Sequence, residues 1–193
     1  MNIQLAPGDA LMIVDVQNDF LAGGSLAVTE GNAVIPVLNR YIARFQVLQL
    51  PIFATRDWHP PDHCSFQTQG GPWPPHCIAG SPGAAFPSGL ELPADVNIIS
   101  KATARETDAY SGFTGTRLNE CLQSLHICQI FIGGLATEYC VRNTVNDALR
   151  LGYTTFVLED AIQAINQKPE DSQRALEDMI HRGAKLVQYE ELA

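Results

Sequence analysis

The sequence predicts an α/β fold, with a central, mainly parallel sheet flanked by helices on both faces in a three-layer α/β/α arrangement. Five short runs rich in Ile, Val and Phe lack polar alternation, as is typical of strands buried on both faces. The runs span residues 11–16, 51–55, 96–100, 129–134 and 154–160. Because helical patterns separate several of these runs, consecutive strands are expected to lie parallel with helices between them.

Three segments carry apolar residues at helical spacing, so each is expected to pack one face against the sheet. Their apolar positions are Val34, Leu38, Tyr41, Phe45 and Leu48 in the first, Val141, Val145, Ala148 and Leu149 in the second, and Ala175, Leu176, Met179 and Ile180 in the third.

Length and net charge indicate a single globular domain and argue against a nucleic-acid-binding protein. The 193 residues fit a single domain over residues 1–193, with a core large enough to hold a pocket. Twelve Lys and Arg against 21 Asp and Glu give a net charge of −9, which repels a phosphate backbone, so nucleic acid is not an expected partner. No run approaches the ~20 apolar residues of a membrane span, and no export signal is recognised. A cytoplasmic protein without a membrane partner is expected, and a homo-oligomer is left open.

The cysteines do not suggest a disulfide framework, because their number is odd and their spacing irregular. A reducing compartment is the simpler interpretation, and it leaves free thiols available for chemistry. The five cysteines are Cys64, Cys77, Cys121, Cys128 and Cys140.

A long segment, residues 57–93, interrupts the alternation of strand and helix. It holds most of the prolines, three of the five histidines and both tryptophans. A long irregular segment in a compact domain is usually functional or disordered. Its aromatic residues favour an ordered loop, since disordered segments are poor in aromatics.

Polar residues follow the apolar runs at the edge where open parallel sheets bind ligands. Asp15 lies at the end of the first run, Arg56 and Asp57 follow the second, and Lys101 follows the third. The segment GGLATEYC leads from the fourth run to Cys140. With Thr137 as N-cap, Cys140 would lie in the first turn of a helix, where the helix dipole and Lys101 would lower its pKa. Asp15 could then accept the thiol proton, and backbone N–H groups could hold an oxyanion.

Each of these residues also has a structural interpretation. A lone cysteine at a helix start is more often a small core residue. An aspartate after a strand often binds a turn, and a lysine there is often solvated. Their joint placement at strand ends favours chemistry.

A group of candidate metal ligands lies in and beside the long loop. Asp57 and His59 form an Asp-x-His pair, and His63 and His76 follow. Imidazole and carboxylate groups bind zinc, iron or manganese. Two alternatives stay open: a polar loop whose histidines only form hydrogen bonds, and a weaker structural zinc site that includes the two loop cysteines.

Six sequence blocks, which cover nearly the whole chain, together resemble the nicotinamidase branch of the isochorismatase-like cysteine hydrolases. Any one block would be a weak signal, but their order is also that of the family. In chain order they are IVDVQNDF followed by GGSLAV, ATRDWHPPDHCSF, GGPWPPHC, ISKAT, AYSGF and GGLATEYCVRNTVNDAL.

The resemblance implies a catalytic triad. Asp15 matches the proton acceptor and donor, Lys101 the electrostatic support, and Cys140 the nucleophile. It also implies a cis peptide bond between Leu135 and Ala136, which directs the N–H of Ala136, beside that of Cys140, at the substrate oxygen.

The resemblance further implies a metal and a substrate pocket. One divalent ion is expected, with zinc favoured over iron or manganese. Its matched ligands are Asp57, His59 and His76, with His63 at a position that different groups fill within the family. The substrate-binding positions match Phe20, Trp73, Tyr110, Leu135, Ala136 and Tyr139.

The implied activity is hydrolysis of nicotinamide to nicotinate and ammonia through a thioester, a step of NAD salvage, so a small carboxamide is the expected partner. One alternative is another carboxamide or ureido substrate, taken by a sibling branch that generally lacks the metal ligands. The other is a non-catalytic binding protein on this fold, against which the presence of all three triad residues argues.

Overall fold

The predicted parallel sheet is present in the computed structural model, which describes residues 3–193. Its strands lie in the order β3-β2-β1-β4-β5-β6, and every neighbouring pair is parallel. They are β1 (Asp9–Val14), β2 (Ile52–Asp57), β3 (Asn97–Lys101), β4 (Gln129–Leu135), β5 (Thr154–Gln163) and β6 (Lys185–Val187).

Helices cover both faces of the sheet, which confirms the three-layer arrangement. They are α1 (Val34–Val47), α2 (Leu118–Ser124), α3 (Arg142–Arg150) and α4 (Asp171–His181). Successive side chains of a strand point to opposite faces. Leu11 of β1 accordingly joins an apolar cluster with Phe45 of α1. Its neighbour Met12 joins a second cluster with Val145 of α3 and Met179 of α4.

Several details differ from the sequence-based expectation. The pattern does not predict α2, which has seven residues and only two buried side chains, or β6, which has three residues. Leu48 lies at the C-cap of α1 and is 41% exposed, so it is not part of the helix face. On α4, Ile180 is 47% exposed, because the buried stripe of this helix consists of Ala175 and Met179.

Strand β5 continues beyond the end that the sequence predicts. The run 154–160 ends in two acidic residues, but the strand extends to Gln163. Its register against β4 shifts: Ile132 pairs with Val157, and Gly134 then pairs with Ile162. The irregularity carries the chain past the acidic pair, so the residues after Gln163 emerge at the ligand-binding edge of the sheet.

The predicted long loop is ordered, as its aromatic residues indicated. It begins after Asp57, which is the last residue of β2, and continues to β3. Phe66 is fully buried and pairs with Trp73 in an isolated β-bridge, and a second bridge joins His59 to Ile78. Across residues 3–193, none of the helices combines the length and the apolar character needed to cross a bilayer.

Gly134 provides a test of strand packing. Its φ is +125°, and a Cβ there would collide with the backbone of Val14 on β1. We expect Gly134→Ala to lower the free energy of unfolding by more than about 4 kcal/mol, since backbone cannot yield as a flexible side chain can. The control Gly152→Ala shares a positive φ, +93°, but has open space around the added Cβ. It should cost only about 1–2 kcal/mol, and equal urea midpoints for the two variants would contradict the packing argument.

Candidate active site and metal centre

Asp15 lies at the ligand-binding edge directly after β1, and its backbone bends there into the left-handed region at φ 49°. Aspartate tolerates this conformation better than most residues. The side chain is fully buried, and Oδ1 accepts a 2.6 Å hydrogen bond from the Thr55 hydroxyl of β2. The neighbouring strand therefore fixes the orientation of this carboxylate.

Lys101 ends β3 and extends its buried ammonium between two carboxylates. Its Nζ lies 2.9 Å from Asp15 Oδ2 and 2.5 Å from Asp57 Oδ1, and it also donates to the backbone oxygen of Ala109. Burial would lower the pKa of Lys101, but the two carboxylates raise the pKa well above its usual value. The lysine is therefore a permanent cation at neutral pH.

Cys140 completes the group that the sequence predicted at strand ends. Its Sγ lies 3.4 Å from Lys101 Nζ. Oxygen atoms of Asp15 and Asp57 and the Cys140 sulfur all lie within 4.8 Å of one another. The structure thus brings the acid, the cation and the thiol into mutual contact.

The local structure around Cys140 corrects the predicted helix start. Residues Thr137–Val141 form a π-helical turn before α3, and the N-cap position is Ala136. The prediction of Thr137 as N-cap is wrong, because the extended residue that precedes the turn is Ala136 and no side chain caps it. The bond between Leu135 and Ala136 is cis, as the resemblance implied.

The expected low pKa of Cys140 is also wrong. Burial raises the pKa of the thiol well above its usual value, and Lys101 opposes this only in part. Burial likewise raises the pKa of Asp15 despite the neighbouring Lys101. A protonated thiol therefore faces a carboxyl group whose proton affinity is increased, which is the pairing that a base-assisted nucleophile requires.

Beside this triad, Asp57, His59 and His76 form a compact group whose potential ligand atoms all lie within 4.8 Å of one another. His59 Nδ1 contacts the backbone oxygen of Ala102 at 3.2 Å, and His76 Nδ1 contacts that of Pro74 at 2.8 Å. When backbone oxygens hold Nδ1–H, each Nε2 presents a lone pair, as in metal-binding histidines generally.

An orphaned nitrogen supports a metal at this point. The buried Nε2 of His59 has no hydrogen-bond partner and lies 3.7 Å from Asp57 Oδ2, beyond hydrogen-bonding distance. Buried polar atoms are rarely left unpaired. Two imidazoles and a carboxylate in contact suit a divalent transition metal, so the residues present fit such an ion.

His63 lies next to these three residues but outside their group. Its ring contacts that of His59 in a tilted arrangement, with centroids 4.2 Å apart and planes 31° apart. Both of its nitrogens have other contacts, Nδ1 with the Ser65 hydroxyl at 2.7 Å and Nε2 with the Thr107 backbone oxygen at 3.2 Å. Within residues 3–193, neither loop cysteine belongs to a group of three candidate ligands. His126 and His181 are exposed and lie away from the site.

Cys140 of the triad and the three candidate metal ligands line one pocket, whereas Asp15 and Lys101 are buried and do not line it. Five of the six predicted substrate-binding residues line it: Phe20, Trp73, Tyr110, Ala136 and Tyr139. The indole N–H of Trp73 donates to the Tyr110 hydroxyl at 2.9 Å. Leu135 does not line the pocket, because its side chain is fully buried in the apolar cluster beneath β4.

A comparison with known proteins agrees with this geometry. The isochorismatase domain matches residues 9–191. The chain belongs to the isochorismatase family. Within it, a nicotinamidase of Escherichia coli (strain K12) is 38% identical over 201 residues, covering 93% of this chain and 94% of that protein. The motif-based resemblance to nicotinamidases is thereby confirmed.

Solved structures of the isochorismatase family share the fold over nearly the whole chain. The pyrazinamidase of Pyrococcus horikoshii in complex with zinc has a TM-score of 0.91 at 50% identity, covering 95% of this chain and 100% of that one. PnC1 from L. infantum in complex with nicotinate has a TM-score of 0.92 at 34% identity, covering 100% and 99%.

Sequence reasoning missed several residues of this isochorismatase-family pocket, namely Leu26, Ser65, Asp108, Ala109 and Ile165. Two signals could have found some of them. Ala109 belongs to the AYSGF block, and Asp108 directly precedes it. Ile165 follows β5 at the same edge as the other strand ends, but the register shift hides where that strand stops.

Gln17 is a further missed residue, and it holds a proposed metal ligand through its backbone. Its fully buried side-chain amide donates 2.8 Å and 2.9 Å hydrogen bonds to the backbone oxygens of Asp57 and Ala84. The Asp57 N–H donates back to Gln17 Oε1 at 2.8 Å. One side chain therefore joins the end of β2 to the long loop.

Removing the buried ammonium tests the electrostatic core of the site. In chelator-treated samples, we expect Lys101→Met to lower the free energy of unfolding by about 3–5 kcal/mol, because two buried carboxylates lose the cation between them. Lys168→Met, at an exposed position, should be nearly neutral. Urea denaturation measures both, and a neutral Lys101→Met would contradict the role of the ion pair.

Proposed function

We propose that this chain is a cysteine amidohydrolase that converts nicotinamide to nicotinate and ammonia, a step of NAD salvage. The observation that carries the proposal is the contact of Asp15, Lys101 and Cys140 beside an aromatic pocket. The similar E. coli protein is a nicotinamidase, and the similar L. infantum structure holds nicotinate. Both support a pyridine carboxamide as the substrate.

The pocket suits a flat aromatic amide. Phe20 and Trp73 supply ring faces for a pyridine, since aromatic pairs gain from stacked or edge-on contact. Tyr139 lies edge-on to Trp73 with centroids 5.1 Å apart, and the hydrogen bond from Trp73 to Tyr110 fixes the indole. In this pose the carboxamide carbon faces Cys140.

Acylation begins when Asp15 accepts the proton of the Cys140 thiol. The sulfur attacks the carboxamide carbon, and the resulting oxyanion rests on the backbone N–H groups of Ala136 and Cys140. Asp15 then donates its proton to the nitrogen, the C–N bond breaks, and ammonia leaves a thioester on Cys140. Lys101 stabilises the anionic form of Asp15 and of the sulfur throughout.

Deacylation repeats the proton transfers with water. Asp15 accepts a proton from the attacking water, the C–S bond breaks, and the same proton returns to the Cys140 sulfur. Nicotinate is released and the thiol is restored, so one water is consumed per ammonia formed.

We further propose that Asp57, His59 and His76 hold one divalent metal ion. Zinc is favoured over iron or manganese because the similar P. horikoshii protein was crystallised with zinc. When bound, such an ion supplies a Lewis acid that can fix a pyridine nitrogen or a water molecule. The orphaned His59 nitrogen and the backbone-held rings of both histidines support this assignment.

The same features weigh against the alternatives from the sequence. A ureido substrate would leave the aromatic walls and the three metal ligands without a role. A binding protein would have no use for a buried ammonium that contacts both a carboxylate and a thiol. A small-molecule partner and a cytoplasmic location remain predictions from the sequence, and a homo-oligomer remains open.

Substitution of the nucleophile tests the reaction. We expect Cys140→Ala to reduce ammonia release from nicotinamide by at least about 10³-fold, because no other group can form the thioester. Cys128→Ala removes an exposed free thiol away from the pocket and should leave the rate unchanged. If Cys140→Ala retained the wild-type rate, the cysteine mechanism would be wrong.

Substitution of two histidines tests the metal assignment. We expect His76→Ala to bind less than one metal ion per chain. His63→Ala should retain one metal ion per chain, because both nitrogens of His63 have other contacts. In a Cys140→Ala background, metal loss should weaken nicotinamide binding by more than about tenfold. Elemental analysis and calorimetry measure these outcomes, and loss of metal from His63→Ala would identify a fourth ligand.

A further inference from the structure

The turn that carries the nucleophile also contains a buried carboxylate that the reaction does not use. Glu138 is 6% exposed, lies two residues before Cys140 and does not line the pocket. In the part of the chain from residue 3 onward, no ion pair involves it. A buried carboxylate needs compensating donors, so its partners indicate its role.

Those partners are two consecutive backbone N–H groups of the segment after β5. Ile165 donates to Glu138 Oε2 at 3.3 Å, and Asn166 donates to Oε1 at 2.7 Å. Asn166 adopts the left-handed conformation at φ 51°. Successive N–H groups in such a bend form a concavity that binds anions, and hydrogen bonds to a charged group are stronger than neutral ones.

The segment held in this way contributes a wall of the pocket. Ile165 lines the pocket and also packs against the apolar cluster beneath the sheet. The Asn166 side chain accepts a 3.0 Å hydrogen bond from the backbone of Ser172, in the first turn of α4. Glu138 therefore connects the turn bearing Tyr139 and Cys140 to the segment that bears Ile165.

We propose that Glu138 is a positioning residue that holds Ile165 against the pocket and so limits the size of the ring that enters. The proposal rests on the amidohydrolase function proposed above. Because the carboxylate touches no reacting atom, its loss should change substrate fit and selectivity more than the chemical step.

The test compares Glu138→Gln with Glu177→Gln, which alters an exposed carboxylate on α4. A glutamine keeps one acceptor oxygen but leaves one of the two N–H groups unpaired. For Glu138→Gln we expect KM for nicotinamide to rise about tenfold while kcat stays within about twofold. This pattern indicates weaker substrate binding with an unchanged chemical step. The kcat/KM preference for nicotinamide over 5-methylnicotinamide should fall about tenfold. A displaced Ile165 would leave more room for the extra methyl group, and a pocket distinguishes one methyl group by how closely its side chains fit the ring. Glu177→Gln should match wild type in both.

Two more measurements separate positioning from a merely structural role. Amide hydrogen exchange at Asn166 should accelerate about tenfold in Glu138→Gln, since the amide loses its buried acceptor. Ile165→Ala should reproduce the loss of selectivity, and the double variant should be no worse than Ile165→Ala alone. Should Glu138→Gln not fold, Ile165→Ala and Glu138→Asp, which keeps both acceptor oxygens, carry the same comparison.

The outcomes are distinct. Equal loss of kcat/KM on both amides with unchanged exchange at Asn166, or additive effects in the double variant, would overturn the positioning role. Retained selectivity in Ile165→Ala would do the same. A wild-type protein that releases no ammonia from nicotinamide would instead refute the proposed function, and exchange at Asn166 would still report whether Glu138 holds the segment.

Discussion

The buried ammonium of Lys101 lies between two carboxylates, and the rest of the site depends on this ionic interaction. Taking three charges out of water is costly unless each has close partners of opposite sign. Asp15 and Asp57 supply them from the ends of β1 and β2, and Lys101 comes from the end of β3. Because β3, β2 and β1 are adjacent in the sheet, these ends meet. The proposed nucleophile pair and the proposed metal group therefore share one cation and cannot be adjusted independently.

Much of this arrangement follows from the sequence, for a physical reason. Apolar runs identify buried strands, and the polar residue at or just after the end of each run marks the edge where ligands bind. Asp15 and Lys101 can therefore be found without a structure. The sequence does not reveal properties that depend on tertiary burial. The pKa of Cys140 rises because the folded chain desolvates the thiol, and this effect outweighs that of the nearby Lys101 cation. Ile165 escapes notice because a register shift, encoded in no simple pattern, extends β5 past two acidic residues.

The turn after β4 concentrates several roles in few residues. It presents Cys140 and Tyr139 to the pocket, and it extends Glu138 to the segment behind them. A π-helical turn places side chains at angles that a regular helix start does not, and such turns are frequent at functional sites. Thr137 does not act as an ordinary N-cap for this reason, because local capping rules do not apply where the backbone is irregular.

The two-sided attachment made by Gln17 has a consequence for how relatives of this protein can diverge. Its side chain holds the end of β2 and Ala84 at a fixed separation, and the Asp19 carboxylate accepts a 2.7 Å hydrogen bond from the backbone of Cys77. These tethers secure the part of the long loop that includes His76, whereas residues 88–96 lie beyond them. Because separate hydrogen bonds between Asn39 of α1 and the backbone of Gly89 and Glu91 hold that distal stretch, a change in its length would not by itself alter the spacing of the histidines.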